Sequence, residues 1–345
     1  MPMAKKEKVT CPECGSTRII KKGRRKNKFG QIQRYKCKSC ERGFSLRGLK
    51  GRVYPAKLIM EAVSLFNRGY SMSEAVKRIR RRFKAKVSKS AVDSWIKEFK
   101  DICTYHRIRG KALKLFPPEE VIFKKTFFHQ IPYKFQYHRA KLQMFIKDYF
   151  SGLTRYLKNI PKKCPDRMFL SGKARGSRVK LDFPIKPKRK TNYACRLAGL
   201  ALTMTKNNRE RHEVVQDFML ANDTATLACE VPVYLYSREV GRSQFFKDSG
   251  LDFREGVTGH IDLIQIRFGY IHLLDFKPQA AKEKYAMAQL FLYALALSAR
   301  TGIWLRNFVC GWFDEKDYFE FRPADVVLKT EKVEKVEMRK YIPRF

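Results

Sequence analysis

The spacing of apolar positions changes period several times along the chain, and each change marks an expected element. Between residues 55 and 101 the spacing is helical in three runs. "PAKLIMEAVSLFNRG" has proline at its first helical position and glycine past its end, the usual asymmetry of helix termini. "SMSEAVKRIRRRF" sets Ser71 three residues before Glu74, a capping box. "SKSAVDSWIKEFKD" places Val92, Trp95, Ile96 and Phe99 on one stripe behind Ser88 as N-cap. Short helices joined by tight turns, with a serine-rich start to the last, make a helix-turn-helix pattern. The plainer alternative is a small bundle with a basic surface. In the helix-turn-helix reading Lys89, Ser90, Asp93 and Ser94 face a major groove.

Residues 191 to 322 alternate between both periods, which predicts an α/β segment. "YACRLAGLALTMTKNNRERHEVVQDFML" predicts one or two helices, and "TLACEVPVYLY" a strand. "GHIDLIQIRFGYIHLLDFKPQ" reads as a hairpin turning at Phe268-Gly269. "KEKYAMAQLFLYALALSAR" predicts a helix, and "IWLRNFVCGWF" and "YFEFR" predict strands. The aromatic, basic "FFHQIPYKFQYHRAKLQMF", with His129 and His138, suits core packing, or alternatively stacking on single strands. "PIKPKRKTN" at 184–192 reads as a linker. The expected division is a zinc ribbon at 1–50, a helix-turn-helix at 51–104 and a basic connecting region with linker at 105–190. An α/β domain at 191–325 and a charged tail at 326–345 complete it.

The hairpin raises a chemical question. A turn at Phe268-Gly269 sets Arg267 beside Tyr270 and, counting outward, Asp262 opposite Asp275. Directly opposed residues have Cβ atoms about 5 Å apart, and like charges there repel. Lys277 lies two residues on, so it shares Asp275's face. A divalent cation between the carboxylates would relieve the repulsion, because hard cations take carboxylate oxygens. Alternatively one Asp caps a loop and Lys277 pairs with the other.

Charge narrows the partners. The 345 residues carry 74 Lys and Arg against 33 Asp and Glu, a net charge of +41. That excess implies a polyanionic partner, most simply nucleic acid. A content of 44% hydrophobic residues with 26 Phe argues for folded domains, not a basic tail. No apolar run is long enough for a membrane span, which takes roughly 18 residues or more. The start "MPMAKKEKVTCPEC" lacks the apolar stretch of a signal peptide. A cytoplasmic, DNA-associated protein is expected, with protein partners unspecified. Nine cysteines then point to metal or thiol chemistry. Cys11-x2-Cys14 and Cys37-x2-Cys40, with positions 15–36 between them, suit a tetrahedral Cys₄ zinc site holding a module that lacks its own core. The intervening "KKGRRKNK" grips phosphates or is simply a solvated loop.

Two resemblances follow from these motifs. The ribbon and helix-turn-helix together resemble the N-terminal part of several transposase and recombinase families. Downstream, "RERHEVV" with His212, "GHID" with Gly259 and Asp262, "DFK" with Asp275, Phe276 and Lys277, and "QLFLY" with Gln289 and Tyr293 occur in that order. The series resembles the RecB-like branch of the PD-(D/E)xK nuclease superfamily over roughly 120 residues. The resemblance implies a restriction-endonuclease-like domain, a mixed sheet flanked by helices, with magnesium or manganese as cofactor. By the same resemblance His212, Asp262, Asp275 and the Phe276 carbonyl ligate the metal, and Glu230 fills a less uniform accessory position. His260, on the same face as Asp262, is a rival ligand. Iron–sulfur members of the branch carry one cysteine before the core and three after it. Here only Cys310 follows Tyr293, so no iron–sulfur cluster is expected.

The chemistry fits independently. Phosphodiester hydrolysis needs an activated water, which metal on Asp262 and Asp275 supplies, and charge stabilisation, which Lys277 offers. Gln289 and Tyr293, at i and i+4, share a helix face that could touch a DNA backbone, and Tyr285 extends it. Ordinary helix–sheet packing is the alternative for that pair, as a satisfied core histidine is for His212. The expected function is a metal-dependent DNA nuclease aimed by its N-terminal modules, of a mobile element or of repair and recombination. A DNA-binding mobile-element or regulatory protein with an inactive nuclease fold is the alternative. RNA stays open as a substrate, since no feature here reads a 2′-hydroxyl specifically.

Overall fold

The computed structural model describes residues 9–11, 13–27, 30–45, 54–146, 148–171, 175–181, 183, 185–205, 207–242, 246–247 and 253–326. The charged C-terminal tail therefore lies, but for Val326, outside the described residues.

The N-terminal module is a three-stranded antiparallel sheet: β1 (Ile19–Asn27), β2 (Gly30–Cys37) and β3 (Gly43–Phe44). Among its described residues only Tyr35 stacked on Phe44, 5.6 Å between ring centroids, resembles a core. Four sulfurs sit at its base, Cys11 3.6 Å from Cys40 and Cys14 3.6 Å from Cys37.

Three helices follow, α1 (Ala56–Asn67), α2 (Met72–Phe83) and α3 (Lys89–Phe99). Ser71 Oγ accepts from the Glu74 amide and Ser88 Oγ from the Ala91 amide, so both serines cap as their spacing predicts. The helices do not form a free-standing unit. Leu58, Val63, Ile79, Val92 and Trp95 share one core with residues of α8 (Tyr193–Leu202) and α9 (Arg211–Asn222), among them Leu197 and Phe218. A buried amide pair fixes the joint: Asn67 Nδ2 donates to Asn222 Oδ1 at 2.8 Å, and Asn222 Nδ2 donates to Ser64 Oγ at 2.8 Å. Arg109, on α4 (His106–Leu115), donates to the carbonyls of Phe66, Gly69 and Tyr70. The expected independent helix-turn-helix domain is thus a layer laid on α8 and α9.

The central sheet has eight strands in the order β4-β5-β7-β8-β9-β10-β11-β6. These are β4 (Ile122–His129), β5 (Ile131–His138), β6 (Lys188–Lys190), β7 (Thr226–Leu235), β8 (Val257–Arg267), β9 (Tyr270–Phe276), β10 (Phe308–Phe313) and β11 (Tyr318–Phe321). β9 and β10 run parallel, linked through α11 (Ala286–Thr301), and every other neighbouring pair is antiparallel. The sheet is mixed and flanked by helices, as a restriction-endonuclease-like fold requires. α11 packs on β7 to β10 together with α6 (Ser151–Lys163), burying Phe291 and Leu295 among Ile261, Ile271 and Leu273. Here α5 (Arg139–Phe145), α7 (Asp166–Leu170) and α10 (Ser237–Arg242) complete the helices used below.

Two expectations about residues 105–190 are corrected. The aromatic stretch packs in the core, as expected, but is not a connector: β4 and β5 extend the sheet through Gln136↔Cys229 and Tyr137↔Ala228, and Phe127 and Phe135 lie in the main core. The supposed linker holds an edge strand, whose Lys188, Arg189 and Lys190 pair with Glu320, Phe319 and Tyr318 of β11. An edge strand tolerates lysines because only one side of it is bonded.

Candidate functional site

The hairpin carries the chemistry. Phe268 takes a φ of 51° and Gly269 a φ of 78°. Two successive positive values are what a tight two-residue hairpin turn needs. Arg267↔Tyr270 through Leu263↔Leu274 is the register the sequence predicts, and one step further sets Asp262 beside Asp275. Asp262 Oδ2 accepts from the Phe276 amide at 3.0 Å and lies 3.3 Å from His212 Nδ1 on α9. Lys277 Nζ sits 2.9 Å from Asp275 Oδ2 and donates to Gln289 Oε1 at 3.0 Å. Glu230 Oε1 accepts from Gln216 Nε2 at 2.7 Å. Glu230 also has a φ of 50° in the middle of β7, where Cys229↔Leu263 and Val231↔Ile261 flank it in the ladder. Such a backbone costs a non-glycine residue about 1–3 kcal/mol, a strain that clusters at functional sites.

Electrostatically the group is short of cations. Three carboxylates face one lysine and one histidine, with the Asp262 side chain 12% and the Asp275 side chain 4% exposed. Burial, then the Asp262 charge, pushes the Asp275 carboxyl up to about 8, although Lys277 opposes this. Burial and Asp262 likewise raise Glu230. Asp262 moves the other way: burial opposes its ionisation, but His212 and Lys277 hold it below the usual carboxylate range. Burial works against a charged His212, yet the surrounding carboxylates raise it. Asp275 Oδ2 is buried, with the Lys277 ammonium beside it at 2.9 Å. Two closely set buried aspartates with Glu230 beside them, more carboxyl groups than the one lysine and one histidine match, offer the oxygen donors that a hard divalent cation takes. His212 is the histidine beside Asp262; its ring packs edge-on to Phe276 at 5.2 Å. His260, the rival, instead lies 2.9 Å from His129 Nδ1 and stacks on Tyr133 at 3.7 Å.

Gln289 and Tyr293 are 9% and 3% exposed, so the expected contact with a DNA backbone is replaced by packing. Gln289 steadies Lys277. Tyr293 explains Gly259: a Cβ there would come within 2.0 Å of Tyr293 Cε1, so only glycine lets the ring pass over β8. On α3, Lys89, Ser90 and Ser94 are exposed, while Asp93 is partly covered and pairs with Lys97 at 2.7 Å. Exposed Arg80 and Arg81 at the end of α2 add charge to the same layer. Sequence reasoning missed Gln216, though its place one turn after His212 was a signal. It also missed Arg175, which donates to the Tyr133 hydroxyl beside His260, and no local pattern marks that residue.

Residues 183–311 match the family model described as the PD-(D/E)XK nuclease superfamily. The match runs from before α8 into β10, so it takes in the whole carboxylate group and stops short of the N-terminal layers. No curated protein and no solved structure matches the chain. Members of that superfamily are typically metal-dependent nucleases acting on nucleic acid, so the domain suggests nuclease activity. The four cysteines, whose sulfurs all lie within 4.8 Å of one another, could hold zinc. Among the described residues no helix is long and apolar enough to cross a membrane.

Proposed function

We propose that the protein is a divalent-metal-dependent DNA nuclease, with a zinc-loaded ribbon and a helix-turn-helix layer that bring it to its target. The observation that carries this is the convergence of Asp262, Asp275 and Glu230, three carboxyl groups gathered around the single lysine Lys277. Asp262 and Asp275, with His212 and the Phe276 carbonyl beside them, would hold magnesium or manganese. The bound ion supplies a water of lowered pKa and polarises the scissile phosphate. Lys277, held by Gln289 and Asp275, stands where it can orient a water and offset charge on the phosphate oxygens. Glu230, whose carboxyl is raised by burial and by Asp262, lies in the same group as a candidate proton acceptor or donor. The exposed Lys89, Ser90 and Ser94, with Asp93, form the edge offered to the major groove. A net charge of +41 supplies the grip on phosphates. The tandem of ribbon and helix-turn-helix suits an enzyme of a mobile element or of recombination.

The test is cleavage of circular and linear, single- and double-stranded DNA, with an RNA arm, in magnesium or in EDTA. Magnesium-dependent cleavage of DNA by the wild type, lost in Asp275→Ala, is expected. Binding without cleavage by the wild type under every condition hands the case to a DNA-binding protein with an inactive nuclease fold. Cleavage confined to RNA reassigns the substrate.

A further inference from the structure

A second convergence of metal-binding side chains lies on the far side of His260 and plays no part in the reading above. His129 ends β4, Cys164 follows α6, and Asp166 opens α7. His129 Nε2 lies 2.9 Å from Asp166 Oδ1 and 3.9 Å from Cys164 Sγ, and all three ligand atoms fall within 4.8 Å of one another. Zinc bond lengths of about 2.0–2.3 Å imply tetrahedral N–O and N–S edges of about 3.4–3.6 Å. The observed separations bracket those edges, so shifts of a few tenths of an ångström would close the site.

The donors are chosen and held. Imidazole, thiolate and carboxylate together suit zinc or cobalt rather than magnesium. The His129 ring is 3% exposed and stacks on Phe169, centroids 4.0 Å apart and planes 13° apart, which fixes its direction. Its other nitrogen, Nδ1, lies 2.9 Å from His260 Nε2. A histidine that binds metal through Nε2 must carry its proton on Nδ1 and donate it, and His260 Nε2 is placed to accept. The nearby cation Lys125 donates to the Pro161 carbonyl and favours the Cys164 thiolate. The Asp166 side chain is 58% exposed. That leaves a solvent side for a water as fourth ligand.

We propose that His129, Cys164 and Asp166 form a second transition-metal site of zinc type, distinct from the carboxylate group. It would staple the end of the β4–β5 hairpin to the α6–α7 junction and, through His260, brace β8 two residues before Asp262. The site stands whether or not the protein cleaves DNA.

The test is metal content of the full chain after loading with excess zinc and desalting, comparing wild type with Cys164→Ser and Asp166→Asn. Each variant is expected to hold about one zinc fewer per chain than the wild type, whatever the four-cysteine module retains. After cobalt loading, Cys164→Ser is also expected to lose part of the near-ultraviolet thiolate-to-cobalt absorption. If Cys164→Ser does not fold, Asp166→Asn, altered at a largely exposed side chain, still reads the same difference. Equal metal content in a folded variant and the wild type overturns the proposal and leaves His129 and Asp166 as a hydrogen-bonded pair.

Discussion

Two polar clusters are buried along β8, and they are balanced in opposite ways. Around Asp223 every carboxylate oxygen has a donor: Arg267 reaches both at 3.2 and 3.1 Å, and Thr226 and Gln265 add bonds at 2.7 and 3.1 Å. Nearby Lys141 is fully buried, and its ammonium donates to the carbonyls of Leu220, Asp223 and Thr226. Burial pulls that lysine down to about 7, and Asp223 works against the shift. Around Asp275, a few residues along the same strands, three carboxyl groups share one lysine and one histidine. Polar burial alone therefore says little about function. A cluster whose donors and acceptors match holds the fold, whereas one left with excess acid is where a cation belongs.

The sharpest way to break this contrast is to swap the expected failures. Asp275→Ala and Lys277→Ala should each lower magnesium-dependent cleavage by about 100-fold or more, the scale set by loss of a transition-state contact. Asp275→Ala should leave the thermal midpoint at or above that of the wild type, Lys277→Ala should lower it by stranding Asp275, and both should keep DNA binding in filter assays. Wild-type cleavage by Asp275→Ala would erase the distinction. Asp223→Ala should do the reverse. It strands Arg267, so denaturant melts should show a loss of about 3–5 kcal/mol, while cleavage per folded molecule stays near wild type. A third buried cluster, Asn67 with Asn222, in which Asn67 Oδ1 has no partner, gives a smaller effect. Asn67→Ala leaves the Asn222 carbonyl oxygen unpaired and should cost about 1–3 kcal/mol by the same melts.

The gentlest probe is pH. Asp275 is raised to about 8 in the folded chain, against about 3.9 when exposed. The folded state thus binds more protons between those values, and stability falls as pH rises through the window before levelling above about 8. In EDTA the midpoint should decline steadily from pH 5 to pH 8. Asp275→Asn should flatten that decline, and an unchanged slope would show that burying the Asp275 carboxylate beside Asp262 carries no cost.

How much of this was legible depended on how local each signal is. Register in the hairpin follows from a period of two and a turn that demands positive φ, so Asp262 beside Asp275 could be counted out in advance. The cysteine knuckles declare themselves by spacing. The pairing of β5 with β7 joins residues such as Gln136 and Cys229, and an aromatic, basic run gives no hint of that partner. Alternation placed His260 on the Asp262 face correctly but could not know that His129 would engage it. The i and i+4 spacing of Gln289 and Tyr293 marked a shared face, yet whether it turned inward was decided by Gly259, where the missing Cβ admits the tyrosine ring. The His129, Cys164 and Asp166 group had no pattern to find, since its first two members are separated by 35 residues.

The core shared by α1–α3 with α8 and α9 has a mechanical meaning. A reading head on a tether samples many distances from its blade, and its cuts scatter. Here the exposed edge of α3 and the β8–β9 hairpin belong to one packed body, joined through Asn67 and Asn222. Under the proposed function the interval between the bases read and the bond broken is built into the protein like the fixed jaw of a caliper. Cleavage should then fall at one set offset from the recognised sequence.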